Sequence, residues 1–307
     1  MKKNINFLYC FDSNYNTQAF TSMISLLENT TEKINIFVIH NEENFKFKVP
    51  KKILKHKNII SFKSYHFKDY QHEFPNIKNV HISVATYFRL FIKNYLPQKE
   101  KFFIFLDPDV ICIQDPTKEI LNTMEKLNNT EFAISAKTEH KMGVKNIHVT
   151  DKYFNAGVMV IDFNKWLDYN LHEKLIQKLE DIKNNIVQWD QDVLNSFLNG
   201  DYLELNDILN FKAATKVDKQ YKQEVLLVHY MGSHKPWLTS GIFQKDSNYY
   251  HSNFNKISTN HFHIEHKWRL RSLFDFLIAI FTLKIFRINK PMFFIYEFII
   301  SILKNKN

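Results

Sequence analysis

Two aspartates one residue apart are the side chains of this sequence best suited to carry chemistry. Asp107 and Asp109 end an apolar run, FIFLDPDV, at residues 103–110. Because alternate side chains of a strand share a face, both carboxylates can project together from a strand end. Two carboxylates repel each other unless a cation lies between them, and such oxygen ligands suit Mg²⁺ or Mn²⁺ bridging to a diphosphate. An isolated D-x-D is also typical of an ordinary turn, so the pattern needs support from the rest of the chain.

Other polar side chains occur in four further segments. They are residues 12–15 (DSNY), 80–89 (VHISVATYFR), 154–158 (FNAGV) together with 190–192 (DQD), and 229–237 (HYMGSHKPW). The last of these follows the apolar run EVLLV and places a lysine after a glycine turn. That arrangement suits a strand end that binds a ligand.

Each of these polar side chains also has a purely structural interpretation. A histidine on an apolar strand, such as His229, is usually a hydrogen-bonded core residue, and Arg89 taken alone is typical of a surface ion pair. Asn155 before Ala-Gly suits a left-handed turn. Asp190 suits the N-cap of the helix that follows it, and Asp192 suits the acidic first turn of that helix. These residues gain a functional meaning only if the fold brings them together.

The elements that must position these side chains follow from the hydrophobic pattern. Apolar runs predict strands at residues 5–11, 34–40, 59–65, 101–106, 132–136, 158–162 and 225–230. Helical patterns lie between them, at residues 16–28, 51–57, 83–94, 171–184 and 191–198. This alternation predicts an α/β fold with a mostly parallel central sheet and helices on both faces. Ligands bind beyond the carboxyl ends of such strands, where we expect Asp12, Asp107 and His229 to face one crevice.

The composition fits one large α/β domain with an appendage. The chain has 307 residues, of which 45% are hydrophobic, and it has 5 glycines. Glycine is therefore expected where the backbone requires it, as at Gly157 and Gly232. Cys10 and Cys112 lie in apolar runs without metal-ligand spacing, which favours two buried thiols in a reducing compartment. No signal peptide is recognisable at the N-terminus, so we expect a cytoplasmic protein.

The C-terminal part differs in character, which predicts a catalytic domain at residues 1–245 and a basic, aromatic-rich segment at 246–307. The net charge is +9, and residues 260–307 hold eight Lys or Arg against three acidic residues, a net +5. Apolar runs at 276–283 and 292–303 are both shorter than the roughly 20 residues of a transmembrane helix. Basic helices with Phe, Leu and Ile on one face are typical of attachment to an anionic membrane surface, which we predict here.

Two alternatives to membrane attachment remain at this stage. The segment can form a helical hairpin that packs on the catalytic domain, or its charge can bind nucleic acid. Long aliphatic runs contribute nothing to phosphate contact, so we expect no nucleic-acid partner. His251, His261, His263 and His266 resemble a metal cluster, but the basic surroundings of the last three favour a solvated segment instead.

The motifs FLDPDV, YFNAGV, WDQDVLN and HYMGSHKPW together are specific to a known family. Over about residues 5–240 the chain resembles glycosyltransferase family 8, retaining sugar-nucleotide transferases with a GT-A fold that include bacterial lipopolysaccharide galactosyl- and glucosyltransferases. The resemblance implies hexosyl transfer from a UDP-sugar to a glycan, with lipopolysaccharide or lipooligosaccharide synthesis as the leading context. It does not separate a galactose donor from a glucose donor. A non-catalytic, membrane-associated scaffold with the same fold is the competing hypothesis.

The resemblance also implies a role for each site residue. Asp107, Asp109 and His229 would bind the metal, and this mixed oxygen and nitrogen set favours Mn²⁺ over Mg²⁺. The residues implied to contact the donor are Asp12 and Asn14 at uridine and ribose, Gly232 and Lys235 at the diphosphate, and Arg89, Asn155, Asp190 and Gln191 at the sugar. His81 and Thr86 would line the donor or acceptor cleft. Gln191 would lie near the anomeric carbon. Asp190 and Asp192 are candidate nucleophiles, although we favour same-face attack guided by the leaving diphosphate.

Overall fold

The computed structural model of the chain describes residues 5–69, 72–75, 83–139 and 152–304. The strands in these ranges are β1 (Ile5–Phe11), β2 (Ile34–His40), β3 (Ile59–His66), β4 (Phe102–Leu106), β5 (Val110–Cys112), β6 (Ile134–Thr138), β7 (Phe154–Asp162), β8 (Leu203–Glu204), β9 (Phe211–Lys212) and β10 (Leu227–His229). The α-helices are α1 (Asn16–Asn29), α2 (Lys51–Leu54), α3 (Thr117–Asn128), α4 (Phe163–Asp168), α5 (Leu171–Ile182), α6 (Trp189–Leu198), α7 (Lys219–Glu224), α8 (Thr239–Ile242), α9 (Ser247–Phe254), α10 (Arg269–Phe281) and α11 (Pro291–Leu303).

Seven strands form the central sheet, in the order β3-β2-β1-β4-β7-β6-β8. Four neighbouring pairs are parallel, whereas β7 runs antiparallel to both of its neighbours, β4 and β6. The prediction of a mostly parallel sheet is therefore confirmed. Both β1 and β2 are buried along their whole length, which explains why their sequences are apolar at nearly every position rather than at alternate ones.

Hydrophobic cores lie on both faces of the central sheet. On one face, Leu8 and Phe103 belong to a cluster with residues of α5, α6 and the 3-10 helix Val84–Asn94. On the other face, Phe7 and Ile104 pack with residues of α1 and α3. Helices therefore cover both faces, as the alternation of strands and helices predicts.

A smaller sheet, in the order β5-β10-β9, lies beside the carboxyl end of β4. β10 runs antiparallel to β5 and parallel to β9, so that His229 lies opposite both Val110 and Lys212. Since Val110 directly follows Asp109, this pairing carries His229 to the turn that ends β4.

Several predicted elements have different bounds or geometry in the structure. The helix predicted at residues 51–57 ends at Leu54, and the helix predicted at 83–94 is a 3-10 helix. β7 begins at Phe154 rather than at residue 158, and α6 begins at Trp189 rather than at residue 191. The early start of β7 comes from pairing with the end of β6, a long-range contact that no local pattern indicates.

The residues after β10 form two groups of helices. α9 packs against α1, and its Tyr250 and Phe254 share a core with Trp237. In contrast, α10 and α11 enclose a separate core in which the rings of Phe276 and Phe298 stack at 4.2 Å. Within the described ranges, no helix is both long enough and apolar enough to cross a membrane.

The C-terminal histidines are packed rather than solvated. His251 is buried, and His261, His263 and His266 are half-buried. Their partners are Glu297 for His261, Tyr250 for His263 and Ser301 for His266. The expectation of a solvated basic segment was wrong, because packing against α9 and α11 covers side chains that a charged sequence places at the surface.

Buried His251 makes the stability of the fold dependent on pH. Burial lowers the pKa of His251 from 6.5 to about 3. Between these values the unfolded chain binds a proton that the folded chain does not, so stability decreases as the pH falls below 6.5. At pH 5 we expect the free energy of unfolding to be lower by about 2 kcal/mol from this residue. Urea unfolding of wild type and His251→Asn at pH 7 and pH 5 measures it; an equal pH dependence in both would contradict the assignment.

Candidate active site

Asp107 and Asp109 lie in the turn between β4 and β5. The amide of Val110 donates to the carbonyl of Asp107 at 3.1 Å, which closes the turn. The amide of Asp107 donates to the carbonyl of Gly157 on the neighbouring β7 at 2.8 Å. The two carboxylates are therefore brought together by a turn fixed to an adjacent strand, rather than by the alternation of side chains along one strand.

His229 completes a group of three potential metal ligands. Its Nε2 lies 3.3 Å from Asp109 Oδ1 and 3.9 Å from Asp107 Oδ2. The other ring nitrogen, Nδ1, lies 2.9 Å from Oδ1 of Asn210, whose amide group donates to Asn155 at 3.1 Å. Asn210 Oδ1 can only accept, so Nδ1 carries a proton and Nε2 is the ring nitrogen directed at the carboxylates.

These three side chains fit a divalent cation. One ligand atom from each of Asp107, Asp109 and His229 lies within 4.8 Å of the others. Two oxygen ligands and one imidazole nitrogen suit Mn²⁺ or Mg²⁺, and the Asn210 contact holds the imidazole in the tautomer that a metal requires. The D-x-D motif is thus part of an Asp-Asp-His group in this structure.

A glycine leaves the space that this group occupies. Gly157 lies in an irregular part of β7, where Ala136 of β6 pairs with Met159 but the next residue, Lys137, pairs with Asn155. A Cβ atom on Gly157 would lie 2.1 Å from His229 Cε1 and 2.8 Å from Asp107 Oδ2. No side chain larger than hydrogen is compatible with both ligands, which explains why this scarce residue is found here.

Lys235 neutralises one of the candidate metal ligands. Its buried Nζ contacts Asp109 Oδ2 and donates to the carbonyl of Tyr230 at 2.7 Å. Burial alone would favour the neutral acid, but the charge of Lys235 and the hydrogen bond that it donates outweigh burial and hold the pKa of Asp109 below its usual range. Asp109 is therefore an anion at neutral pH.

Arg89 is a buried cation that joins two acidic groups. Its Nη2 donates to Asp107 Oδ1 at 2.9 Å, and its Nε lies 2.9 Å from Asp190 Oδ2. The guanidinium also donates to the carbonyls of Ala156 and Thr86, and its central carbon lies 3.9 Å from the centre of the Phe105 ring. The surface ion pair considered from sequence is wrong, because Arg89 is 3% exposed and its donors are held in the interior.

Loss of Arg89 should strongly destabilise the protein. Arg89→Met leaves Asp190 buried without its cation, so we expect the free energy of unfolding to fall by about 3–5 kcal/mol. Lys93→Met is a suitable control because Lys93 and Glu173 form an exposed pair, which should contribute less than about 1 kcal/mol. In urea unfolding, adding Asp190→Asn to Arg89→Met should cost less than the sum of the single changes. Additive losses would show that the two groups do not interact.

The first turn of α6 places Asp190 and Gln191 against β7 and Arg89. Burial raises the pKa of Asp190 to about 6, although the charge of Arg89 opposes this and that of Asp107 adds to it. Gln191 Oε1 accepts a hydrogen bond from the amide of Ala156 at 3.0 Å. Asp190 is not the N-cap that the sequence suggests, because Gln188 precedes the first helical residue.

Asp192 holds the loop that leads into α6. Its Oδ1 accepts from the hydroxyl of Tyr153, and its Oδ2 accepts from the amides of Val187 and Gln188, all at 2.7 Å. The carboxylate is fully buried. Both of its oxygens are therefore used to position the neighbouring chain.

A cavity of about 610 Å³ contains most of the residues predicted from sequence. Those that line it are Thr86, Arg89, Asp107, Asp109, Asn155, Asp190, Gln191, His229, Gly232 and Lys235. Asp192 is not among the lining residues, and neither are Asp12 and Asn14, which lie between the lining residues Phe11 and Tyr15. His81 lies outside the described residues.

The structure adds site residues that sequence reasoning missed. Asn210 orients His229, but it occurs in a segment without any recognisable motif. Tyr15 and Trp189 both line the cavity. Trp189 has a φ of 49°, which is strained for a bulky side chain at the start of a helix. It is part of the WDQD motif, so its position could have been recognised, but its left-handed backbone could not.

The fold and the Asp-Asp-His group define a glycosyltransferase of the GT-A type. The sequence model of glycosyl transferase family 8 matches residues 6–241, so the chain belongs to glycosyltransferase family 8. Members of this class transfer sugar from a nucleotide-sugar donor to an acceptor. The chain is 27% identical over 264 residues to general stress protein A of Bacillus subtilis, covering 79% of this chain and 90% of that protein.

Two lipopolysaccharide enzymes are similar over a shorter length. A lipopolysaccharide 1,3-galactosyltransferase of Salmonella typhimurium is 29% identical over 186 residues, 55% of this chain and 53% of that enzyme. A lipopolysaccharide 1,2-glucosyltransferase of Escherichia coli is 33% identical over 171 residues, 50% of this chain and 49% of that enzyme. These matches span about half of each enzyme.

A solved structure confirms the fold. The galactosyltransferase LgtC, crystallised with donor and acceptor sugar analogs, superposes with a TM-score of 0.67 at 23% identity. The match covers 87% of this chain and all of that one (100%). At this level of identity the similarity establishes the GT-A fold alone.

Proposed function

We propose that this glycosyltransferase moves galactose or glucose from a UDP-sugar to a glycan acceptor, with retention at the anomeric carbon. The observation that carries the proposal is the convergence of Asp107, Asp109 and His229 beside Lys235 in one cavity. Two carboxylates, an imidazole and a buried ammonium are the groups that would bind a cation and a diphosphate. A scaffold without activity would have no need to keep these charged groups buried together.

The proposed metal is Mn²⁺, with Mg²⁺ as the alternative. Asp107 and Asp109 would supply oxygen ligands and His229 the nitrogen ligand that favours Mn²⁺. Such an ion stabilises the negative charge that develops on a leaving diphosphate. Lys235 would neutralise the same charge, since its ammonium already lies against Asp109. Gly232 lies in the turn before Lys235 and has a φ of 80°. Because it has no side chain, it would let the backbone approach the phosphates closely.

The remaining lining residues are proposed to bind the donor. Arg89 and Asp190 form a rigid buried pair on one side of the cavity, and Asn155 and Gln191 lie beside each other where β7 meets α6. We assign these four to the sugar and Thr86 to the cleft wall. Asp12 and Asn14 are assigned to uridine and ribose, because they follow β1 next to lining residues of the same loop.

Retention is proposed to occur by same-face attack guided by the leaving diphosphate. Asp190 is held by Arg89, and both oxygens of Asp192 accept hydrogen bonds from Tyr153 and from the loop before α6. Neither arrangement favours a carboxylate nucleophile, and we assign Asp192 a positioning role instead. Gln191 remains the residue proposed to face the anomeric carbon.

UDP release without acceptor tests this function. The enzyme is incubated with UDP-galactose, UDP-glucose and UDP-N-acetylglucosamine in turn, with Mn²⁺, with Mg²⁺ and with a chelator. We expect slow hydrolysis of one UDP-hexose, fastest with Mn²⁺ and lost with chelator. If UDP neither forms nor binds in the presence of Mn²⁺, the site is a catalytically inactive remnant and the proposal fails.

The acceptor is proposed to be a membrane-anchored glycan, with lipopolysaccharide or lipooligosaccharide as the leading case. Relatives that act on lipopolysaccharide support this assignment. The distribution of exposed apolar side chains also supports it, because fifteen of the large ones in the described residues lie between 268 and 303 and four lie elsewhere. Lys267, Arg269, Arg271, Lys284 and Arg287 accompany them. The α10–α11 pair is therefore proposed to attach to an anionic membrane at its inner face.

Vesicle sedimentation tests the membrane proposal. We expect binding to vesicles that contain an anionic phospholipid, weaker binding to neutral vesicles, and release by high salt. Phe281→Asp should reduce binding because its ring is 84% exposed on α10. Phe47→Asp is the matched control, since Phe47 is 89% exposed in the N-terminal half of the chain. Equal losses in both variants, or no binding by wild type, would contradict attachment through α10–α11.

A further inference from the structure

A short stretch of the C-terminal part runs alongside the loop that contains Lys235. Residues 261–265, which we call the brace segment, follow α9 and precede α10. The amide of Glu265 donates to the carbonyl of Trp237 at 2.8 Å, and Glu265 forms an isolated parallel bridge with Leu238. The family match ends at residue 241, so the brace segment is outside the part of the chain that defines the family.

A network of side chains fixes the brace segment in place. Glu265 Oε1 accepts from Nε2 of Gln18, a buried residue of α1, at 2.8 Å and lies 3.0 Å from Nε2 of His263. The Tyr250 hydroxyl lies 2.6 Å from Nδ1 of His263. If this hydroxyl donates to Nδ1, His263 Nε2 carries the proton and donates to Glu265. The network joins α1, α9 and the brace segment.

His251 of α9 and the brace segment together hold the two peptide groups that follow Lys235. His251 Nε2 donates to the carbonyl of Pro236 at 2.9 Å, while its Nδ1 accepts from the amide of His263 at 3.4 Å. The His263 ring is stacked on Trp237, with the ring centres 6.1 Å apart and the planes at 20°. The backbone immediately after Lys235 is therefore held from the C-terminal side by hydrogen bonds and by a buried aromatic contact.

Lys235 depends on such external support because its loop has little structure of its own. Between His229, which ends β10, and Thr239, which begins α8, the chain contains no other helix or strand. At the opposite side Gly241 allows close packing, since a Cβ there would lie 2.2 Å from the carbonyl of Lys235. A long side chain placed by an irregular loop is only as well oriented as the contacts that fix that loop.

We propose that Glu265 and His263 are positioning residues that hold the Lys235 loop so that the ammonium meets the donor diphosphate. This inference rests on the proposed function, which assigns Lys235 to the diphosphate. It gives the brace segment a role in donor binding that is separate from membrane attachment, although the brace leads directly into α10.

The experiment compares the binding of UDP and uridine to the full-length protein with Mn²⁺, by calorimetry. Uridine lacks the diphosphate, so the ratio of the two dissociation constants measures the contribution of the diphosphate, which Lys235 is proposed to contact. Lys235→Ala should lower this preference for UDP by about 10- to 100-fold. Glu265→Ala should lower it by about 3- to 10-fold and leave uridine binding unchanged, because only the diphosphate contact is misplaced. Adding Glu265→Ala to Lys235→Ala should have no further effect on the ratio.

A matched control separates positioning from general loss of structure. Asp115 is another hydrogen-bonded carboxylate, which accepts from the backbone amides of Thr31 at 3.0 Å and Thr117 at 2.9 Å, but it does not line the cavity. Asp115→Asn should therefore keep the ratio of wild type. The inference is overturned if Glu265→Ala leaves the ratio unchanged, weakens uridine and UDP equally, or adds fully to Lys235→Ala.

Failure of this inference differs from failure of the proposed function. If Lys235→Ala weakens UDP and Glu265→Ala does not, only the role of the brace segment is wrong. If Lys235→Ala keeps the full preference for UDP, the diphosphate assignment itself is wrong and the brace proposal falls with it.

Discussion

Replacement of Asp109 by asparagine should abolish metal-dependent transfer. The carboxylate faces two cationic or metal-directed groups, because Oδ1 lies 3.3 Å from His229 Nε2 and Oδ2 contacts Lys235. An amide removes the charge that balances Lys235 and supplies a much weaker metal ligand. We expect turnover of the UDP-sugar to fall on the order of 10³-fold or more. Titration with Mn²⁺, followed by electron paramagnetic resonance, should show loss of ordered binding.

The control for this change is an acidic residue outside the cavity. Asp218 caps α7 by accepting from the amide of Tyr221 at 2.7 Å, and it is exposed. Asp218→Asn should retain both turnover and Mn²⁺ binding. Turnover of Asp109→Asn that stays near the wild-type rate and remains sensitive to chelator would mean that the metal is bound elsewhere.

Addition of a single methyl group at residue 157 should weaken metal binding at the same site, although no metal ligand is itself replaced. In Gly157→Ala the new Cβ would overlap His229 Cε1 at 2.1 Å and approach Asp107 Oδ2 to 2.8 Å. Both side chains must move, and His229 would lose its contact with Asn210. We expect Mn²⁺ affinity to fall by about 10- to 100-fold, the range for disturbed support of a metal ligand. Calorimetric titration of the purified variant with Mn²⁺ measures the effect.

A second glycine provides the comparison for the Gly157 prediction. Gly200 follows α6 and has a φ of 94°, so an alanine at this position would have a strained backbone. Residue 200 is not among the residues that line the cavity. Gly200→Ala should lower the melting temperature and leave Mn²⁺ affinity unchanged. The assignment of residue 157 fails if its alanine variant binds Mn²⁺ as tightly as wild type, or if both variants lose affinity equally.

The strands of the main sheet could be predicted because burial on both faces requires apolar residues at nearly every position of a strand. β1 and β2 agree with the apolar runs at residues 5–11 and 34–40, since nearly every side chain there must be apolar. The start of β7 could not be predicted in this way. Asn155 and Gly157 look like turn residues, yet pairing with β6 extends the strand through them. Local propensity was overridden by a long-range partner.

Most residues of the candidate site carried a recognisable signal in the sequence. Asn210 carried none, and it acts through another residue, His229. Asp107, Asp109, His229 and Lys235 belong to motifs whose side chains meet the cavity. Asn210 belongs to no recognisable motif, because any well-placed hydrogen-bond acceptor could orient the His229 ring in the same way. For the C-terminal histidines the prediction from sequence was wrong. Their charged neighbours indicate a solvated segment, whereas packing against neighbouring helices covers these side chains in the structure.

The sequence by itself determined the class of fold, the family and the identity of most residues in the cavity, because these depend on hydrophobic pattern and on motifs short enough to read along the chain. The tertiary structure alone decided how those residues face one another. Pairing of β5 with β10 brings His229 to Asp109, and the irregular part of β7 places Gly157 against His229 and Asp107. The burial of Arg89 between two acids and the contact of Glu265 with the carbonyl of Trp237 were likewise decided at this level. The physical reason is that these contacts join residues far apart in sequence, whose distances are set by the packing of whole elements.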